Sequence, residues 1–165
     1  MDLESIFSLA SGLALPGWLL LIVAPWWRWS TQLIAPVLIP LVLALFYAYL
    51  MATGLGQVEG DFNSLAGVRE LFKSDRLLLA GWIHYLAFDL FIGSWEVRDA
   101  RRLGVPHFLV VPCLLLTLVA GPVGLALYFA VRGAQRKLWI DDTVAVSVAP
   151  AATTVLTGTA TIGGT

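Results

Sequence analysis

Four apolar stretches, each long enough to cross a bilayer, fix what this chain can become. They run roughly Ile6–Ala24, Leu33–Thr53, Leu77–Trp95 and His107–Val131. About 20 residues of α-helix cover the ~30 Å of a hydrocarbon core. No water is present there to satisfy backbone N–H and C=O groups, so each stretch is expected as a helix. Composition points the same way: 59% of the residues are hydrophobic and 13% are charged, against about 25% charged in ordinary soluble domains. The expected fold is all-α and integral to the membrane, a four-helix transmembrane bundle over residues 1–140.

The segments between the stretches refine this picture. Pro25–Thr31 and Glu96–Pro106 are short and force their neighbours into antiparallel contact. The connector from Gly54 to Arg76 is longer. Within its Asp61–Lys73 part, Phe62, Leu65, Val68, Leu71 and Phe72 recur at helical spacing between charged residues. That pattern suits a short amphipathic helix in the membrane interface, or equally a loop helix packed on the bundle. Asp2 and Glu4 stand where a cleaved signal would carry Lys or Arg, so the first stretch is expected as a permanent span. With four crossings both termini share one side. That side would hold Arg69, Lys73, Arg76, Arg132, Arg136 and Lys137, against Arg28, Arg98, Arg101 and Arg102 opposite. Six against four leans towards cytoplasmic termini in a cell inner membrane. Residues 141–165 are rich in Thr, Ala, Val and Gly and are expected as a loose tail.

Several function classes drop out. A net charge of −1 does not suit nucleic acid, which demands a basic surface. The single cysteine, Cys113, allows no internal disulfide and reads as a buried thiol. No GxSxG, P-loop, GxGxxG or CxxC occurs.

Chemistry announces itself in the third stretch, Leu77–Gly93, which carries His84 and Asp89 near its middle. A carboxylate at bilayer depth costs on the order of 3 kcal/mol, so it should face other helices or a cavity. On a helical wheel Gly81, Trp82, Tyr85, Asp89, Gly93, Glu96 and Asp99 fall in one stripe roughly 100° wide, with His84 about 100° to one side. The small residues allow close helix approach, and the polar ones require an interior or aqueous setting. Four readings of His84 and Asp89 stay open. They could be hydrogen-bonded ties between helices or an acid–base pair. They could be part of a metal site with Glu96 and His107, although their spacing matches no familiar ligand motif. Or they could line a proton path. The charges of Glu96 to Arg102 suit a salt-bridged cap or a grip on an anionic headgroup. Pro106-His107 should open the fourth helix, with His107 at its rim, and Gly121-Pro122-Val123-Gly124 should bend it.

The run Gly81-Trp82-Ile83-His84-Tyr85-Leu86-Ala87-Phe88-Asp89-Leu90-Phe91-Ile92-Gly93, followed by Trp95-Glu96 and Asp99, resembles the neoxanthin-synthase-like (abscisic-acid-deficient-four-like) family of small four-helix membrane proteins. Gly60-Asp61-Phe62, Leu71-Phe72, Pro106-His107, Pro112-Cys113 and Gly121-Pro122 extend the likeness over roughly Ile6–Arg132. The resemblance implies carotenoid metabolism, in which plant members are needed to form an allenic xanthophyll from an epoxide. That reaction is an isomerisation needing an acid at the epoxide oxygen and a base at carbon, with no cofactor. His84 and Asp89 match the family positions for such a pair. Trp82 and Tyr85 would shape a pocket for a carotenoid or other isoprenoid lipid, while Glu96, Asp99 and His107 would line its polar end. The connector after Trp95 and the Pro106-His107 junction are nearer to microbial members. The alternative is a non-enzymatic pigment or lipid carrier, or a scaffold among membrane lipids; a homo-oligomer is compatible with either.

Overall fold

The computed structural model describes residues 2–136; the expected tail over 141–165 lies outside them. Five helices are present among the described residues, with no strand. Helix α1 is Leu3–Val23, α2 is Ile39–Gly54, α3 is Leu65–Leu71, α4 is Asp75–Leu103 and α5 is His107–Arg136. A π-helical stretch, Ser30–Leu38, leads directly into α2. By length and composition alone, four of these segments, α5 counted as continuous, are long and apolar enough to cross a membrane, and the chain is an all-α integral membrane protein.

Local chemistry sets the element ends. The Asp2 carboxylate accepts the Ser5 N–H at 2.7 Å and caps α1. The Ser5 hydroxyl first, and then that N–H, hold the Asp2 carboxyl below its ordinary range. In the π-helical stretch Pro36 has no N–H to donate, and the Ile39 N–H reaches the Ile34 C=O five residues back. Ser64 caps α3 by accepting from the Gly67 N–H at 2.9 Å. The Asp61–Lys73 helix foreseen from periodicity shrinks to these seven residues of α3. The reason is that Asp61 Oδ1 spends itself on the Asn63 and Ser64 N–H groups, an Asx turn that competes with helix. Phe62, Leu65 and Phe72 stay exposed, as an interfacial segment requires.

The central rod is α4. Gly17 of α1 faces Leu90, Trp18 faces Gly93 and Ser11 meets Trp82, so α1 runs parallel to α4. Thr53 meets Arg76 and Tyr47 meets His84, so α2 runs antiparallel to it. The sequence places the helix end at Trp95, but α4 continues two more turns, to Leu103. Burial explains this: Glu96 and Asp99 have interior partners and need no solvated connector. The connector is only 104–106, and Gly104 takes the left-handed conformation (φ 67°) that ends α4.

The fourth apolar stretch departs furthest from expectation. Helix α5 breaks at Ala120 (φ −148°, ψ 62°), and the bend reverses the chain. Thr117 bonds Glu96, whereas Arg132 reaches Asp99 and Tyr128 also bonds Asp99. Along a straight helix, Thr117 and Arg132 would stand about 22 Å apart, yet Glu96 and Asp99 are separated by only about 4.5 Å of rise. Gly124 packs directly on the Thr117 backbone, seven residues earlier, an approach open only to a residue without Cβ. Residues 107–119 therefore run antiparallel to α4, and 121–136 return parallel to it. The halves are about 20 and 24 Å long, short of a ~30 Å core. The described end of α5 therefore returns to the side of the 104–106 connector, opposite the start of α1, whereas the C-terminus of the shared-side expectation lies outside the described residues.

Candidate functional site

Asp89 lies half-buried on α4, and its carboxylate rests on the Cα of Gly121 at the α5 reversal. A methyl group at Gly121 would overlap Oδ1 and Oδ2. Oδ2 is buried without a hydrogen-bond partner. One turn earlier, the Tyr85 hydroxyl donates to the Leu118 C=O. That carbonyl's helical partner would be the N–H of residue 122, which is proline and has none. Tyr85 thus satisfies the group that the break frees, and the reversal itself positions the ring.

Trp82 donates from Nε1 to Ser11 Oγ at 3.1 Å and stands 5.4 Å from the Tyr85 ring. The two line a groove of about 670 Å³ with Ser11, Leu15, Leu118 and Val119. It is almost wholly apolar, and Trp82 remains 41% exposed.

His84 faces elsewhere. Its exposed ring stacks on Phe88 at 4.4 Å and 21°, lies 5.8 Å from Tyr47, and lines a separate pocket of about 230 Å³ with Tyr47, Met51 and Phe62. Phe72 lies over Gly81 and borders both spaces, dividing one from the other. No hydrogen bond joins His84 to Asp89 among the described residues.

The remaining stripe residues lie deeper. Glu96 is fully buried; its Oε1 accepts from Thr117 Oγ1 at 3.0 Å, and Oε2 has no partner. Asp99 accepts from Tyr128 Oη at 2.8 Å and Arg102 Nη2 at 2.8 Å, and pairs with Arg132 Nε at 3.2 Å. His107 Nε2 donates to the Ile22 C=O at 3.0 Å, tying α5 to the end of α1. Gly93, Glu96 and Asp99 of the stripe are buried, Gly81, Tyr85 and Asp89 partly so, and Trp82 is exposed, so the stripe does not form one wall of one pocket. Asp99 lies about 15 Å along α4 from Asp89, its acceptors taken up in holding the returning half of α5. Arg98 and Arg101 donate to the Thr31 and Pro25 carbonyls, both at 2.8 Å, which accounts for the dense charge there. Among the described residues, no group of three or more His, Cys, Asp or Glu could hold a metal ion.

Four participants escape the sequence reading. Ser11 and Trp18 look like ordinary members of an apolar helix. Gly121 is legible as a bend but not as the seat of Asp89. Arg132 reads as an interfacial cap, although it stands one turn after Tyr128 and both serve Asp99. The i,i+4 spacing of a tyrosine and an arginine in an apolar helix was the available signal.

Residues 5–128 match the ABA4-like family, described as ABA DEFICIENT 4-like. The chain is similar to Protein ABA DEFICIENT 4, chloroplastic, of Arabidopsis thaliana, at 25% identity over 139 residues, covering 78% of this chain and 61% of that protein. It thus spans about three-fifths of the length of the curated relative it matches. No solved structure matches it. The match covers α1, α2, α4 and the α5 reversal that seats Asp89, and on it the chain belongs to the ABA DEFICIENT 4-like family.

Proposed function

We propose that this protein binds a carotenoid or another isoprenoid lipid in the membrane and isomerises it by proton transfer, without a redox cofactor. One observation carries the reading: a mid-span carboxylate with an unpartnered oxygen, one helical turn from Tyr85, which lines an apolar groove. Opening an epoxide into an allenic alcohol breaks a C–H and a C–O bond. The C–H electron pair becomes the new double bond, and the oxygen takes up a proton, so no electrons are gained or lost. Asp89 and His84 are the proposed proton-transfer residues. Trp82 and Tyr85 would hold the polyene by ring contacts.

The test is expression in a carotenoid-producing host, followed by pigment chromatography. Wild type should change the pigment profile, and Asp89→Asn should abolish the change. A profile altered equally by Asp89→Asn and His84→Ala variants rejects the assignment. The separation of His84 from Asp89 favours a second reading, a pigment or lipid carrier. Co-purification of unaltered pigment would support it.

For orientation, the ends of α1 and α4 and the returning half of α5 put Arg28, Arg98, Arg101, Arg102 and Arg132 towards one face, against Arg69, Lys73 and Arg76 towards the other. Excess positive charge supports a cytoplasmic 104–106 connector in a cell inner membrane. In a Cys113→Ala background, a membrane-impermeant thiol reagent applied to intact cells should label Gln57→Cys and spare Arg28→Cys. The opposite pattern overturns this orientation.

A further inference from the structure

Away from Asp89, the end of α4 meets the loop between α1 and the π-helical stretch on a basic surface. Arg28 and Arg101 are exposed and Arg98 is half-buried, and among the described residues none of the three pairs with a carboxylate. The nearest acids in sequence, Glu96 and Asp99, are buried against α5. The arginines are also held in place. Arg101 donates one N–H to the Pro25 carbonyl and Arg98 one to that of Thr31, both at 2.8 Å. Each five-donor guanidinium fork keeps further N–H groups for a phosphate. Ser30 Oγ closes the loop between them, 2.9 Å from the Ala24 C=O and 2.7 Å from that of Trp27. Arg28 stands midway between Pro25 and Thr31, over the Trp29 ring at 5.3 Å, among exposed Trp26, Trp27 and Trp29. Exposed indoles of this kind sit at headgroup level.

An apolar groove opens beneath. Phe91 precedes Arg98 by seven residues on the same face of α4, about 10 Å along the axis. With Phe88, Pro36, Val37, Pro40 and Ala44 it lines a groove of about 400 Å³ between α4 and the entry to α2. Pro36 follows Thr31 by one turn of the π-helical stretch. The carbonyl that orients Arg98 and one wall of the groove therefore belong to the same short segment.

We propose that this seam binds one anionic phospholipid, its phosphate on Arg28, Arg98 and Arg101 and one acyl chain in the groove. Charge complementarity selects the headgroup, because a zwitterionic lipid would bring its own cation against three guanidiniums. Basic pockets between membrane helices hold anionic headgroups in this way. The site lies about 24 Å along α4 from Trp82, and it does not rest on the isomerase reading.

Native mass spectrometry of the full chain in neutral detergent tests it, with dioleoyl phosphatidylglycerol and dioleoyl phosphatidylcholine titrated separately so that the chains are equal. One phosphatidylglycerol should be retained more tightly than phosphatidylcholine. Arg28→Gln and Arg101→Gln should each weaken phosphatidylglycerol binding about fivefold, and Arg69→Gln on the opposite face should leave it unchanged. Ala44→Phe fills the groove from an exposed position and should weaken both lipids. Equal retention of the two lipids, or phosphatidylglycerol binding unchanged in Arg28→Gln, overturns the headgroup site. Binding unchanged in Ala44→Phe overturns the groove as the seat of the chain. Millimolar inorganic phosphate should not displace the lipid; displacement would make this a free-phosphate site and overturn the lipid as occupant. Should Arg101→Gln fail to fold, Arg28→Gln decides alone, since among the described residues no backbone group depends on Arg28.

Discussion

The reversal of α5 makes a prediction whose sign, not only its size, depends on the geometry. In a straight, lipid-facing helix, Gly124→Ala would stabilise by roughly 1 kcal/mol through helix propensity. In this structure the added Cβ would overlap the backbone N, Cα and Oγ1 of Thr117. Backbone cannot step aside as a side-chain tip can. Thr117 also holds Glu96, so a shift there loosens a buried bond as well. Overpacking costs about 1–3 kcal/mol, and contact with backbone argues for the upper end. Subtracting the propensity gain leaves a net loss of about 2 kcal/mol. Gly12→Ala is the internal control, because nothing lies within 4 Å of its Cβ position on α1; it should gain up to about 1 kcal/mol. Equilibrium unfolding in mixed detergent micelles, followed by circular dichroism, measures both. Opposite signs are expected. A Gly124→Ala protein as stable as wild type, or more stable, refutes the reversal.

Arg132→Met should destabilise by about 3 kcal/mol, the lower end for breaking a buried pair, because Arg102 and Tyr128 still hold Asp99. Adding Asp99→Asn should recover part of the loss in the same unfolding assay. Tyr85→Phe should cost about 1–2 kcal/mol by stranding the Leu118 carbonyl, and thermal melting reads it. Gly121→Ala should push the Asp89 carboxylate from its seat. Pigment conversion should then fall at least as far as in Asp89→Asn, while circular dichroism still reports a helical protein.

Hydropathy was a sufficient guide to the helices, because lipid leaves a backbone no alternative. The four apolar stretches and the polar stripe of α4 were legible. The end of α4 was not, since a run such as Glu96–Arg102 looks like a connector until Thr117, Tyr128 and Arg132 are known to meet it. The reversal was hidden for a related reason: Gly-Pro in an apolar segment signals a break without its angle, and the hydropathy of a bend and of a hairpin is identical. Within the site, the wheel placed Asp89 and set His84 apart. It could not show that Tyr85 would be claimed by a carbonyl freed through Pro122, or that Phe72 would divide the two spaces.

The hairpin of α5 also bears on biogenesis. Neither half reaches across the hydrocarbon alone, so neither is an autonomous insertion unit, and the Ala120 turn exposes backbone that lipid cannot satisfy. Only a pre-assembled α1–α4 surface offers Tyr85 for the freed carbonyl and Asp99 for Arg132. The C-terminal element must therefore dock last during assembly, and it should be the first to release under stress. Since that element seats Asp89, the Asp89 seat would be lost before the bundle melts, leaving the remaining helices inserted.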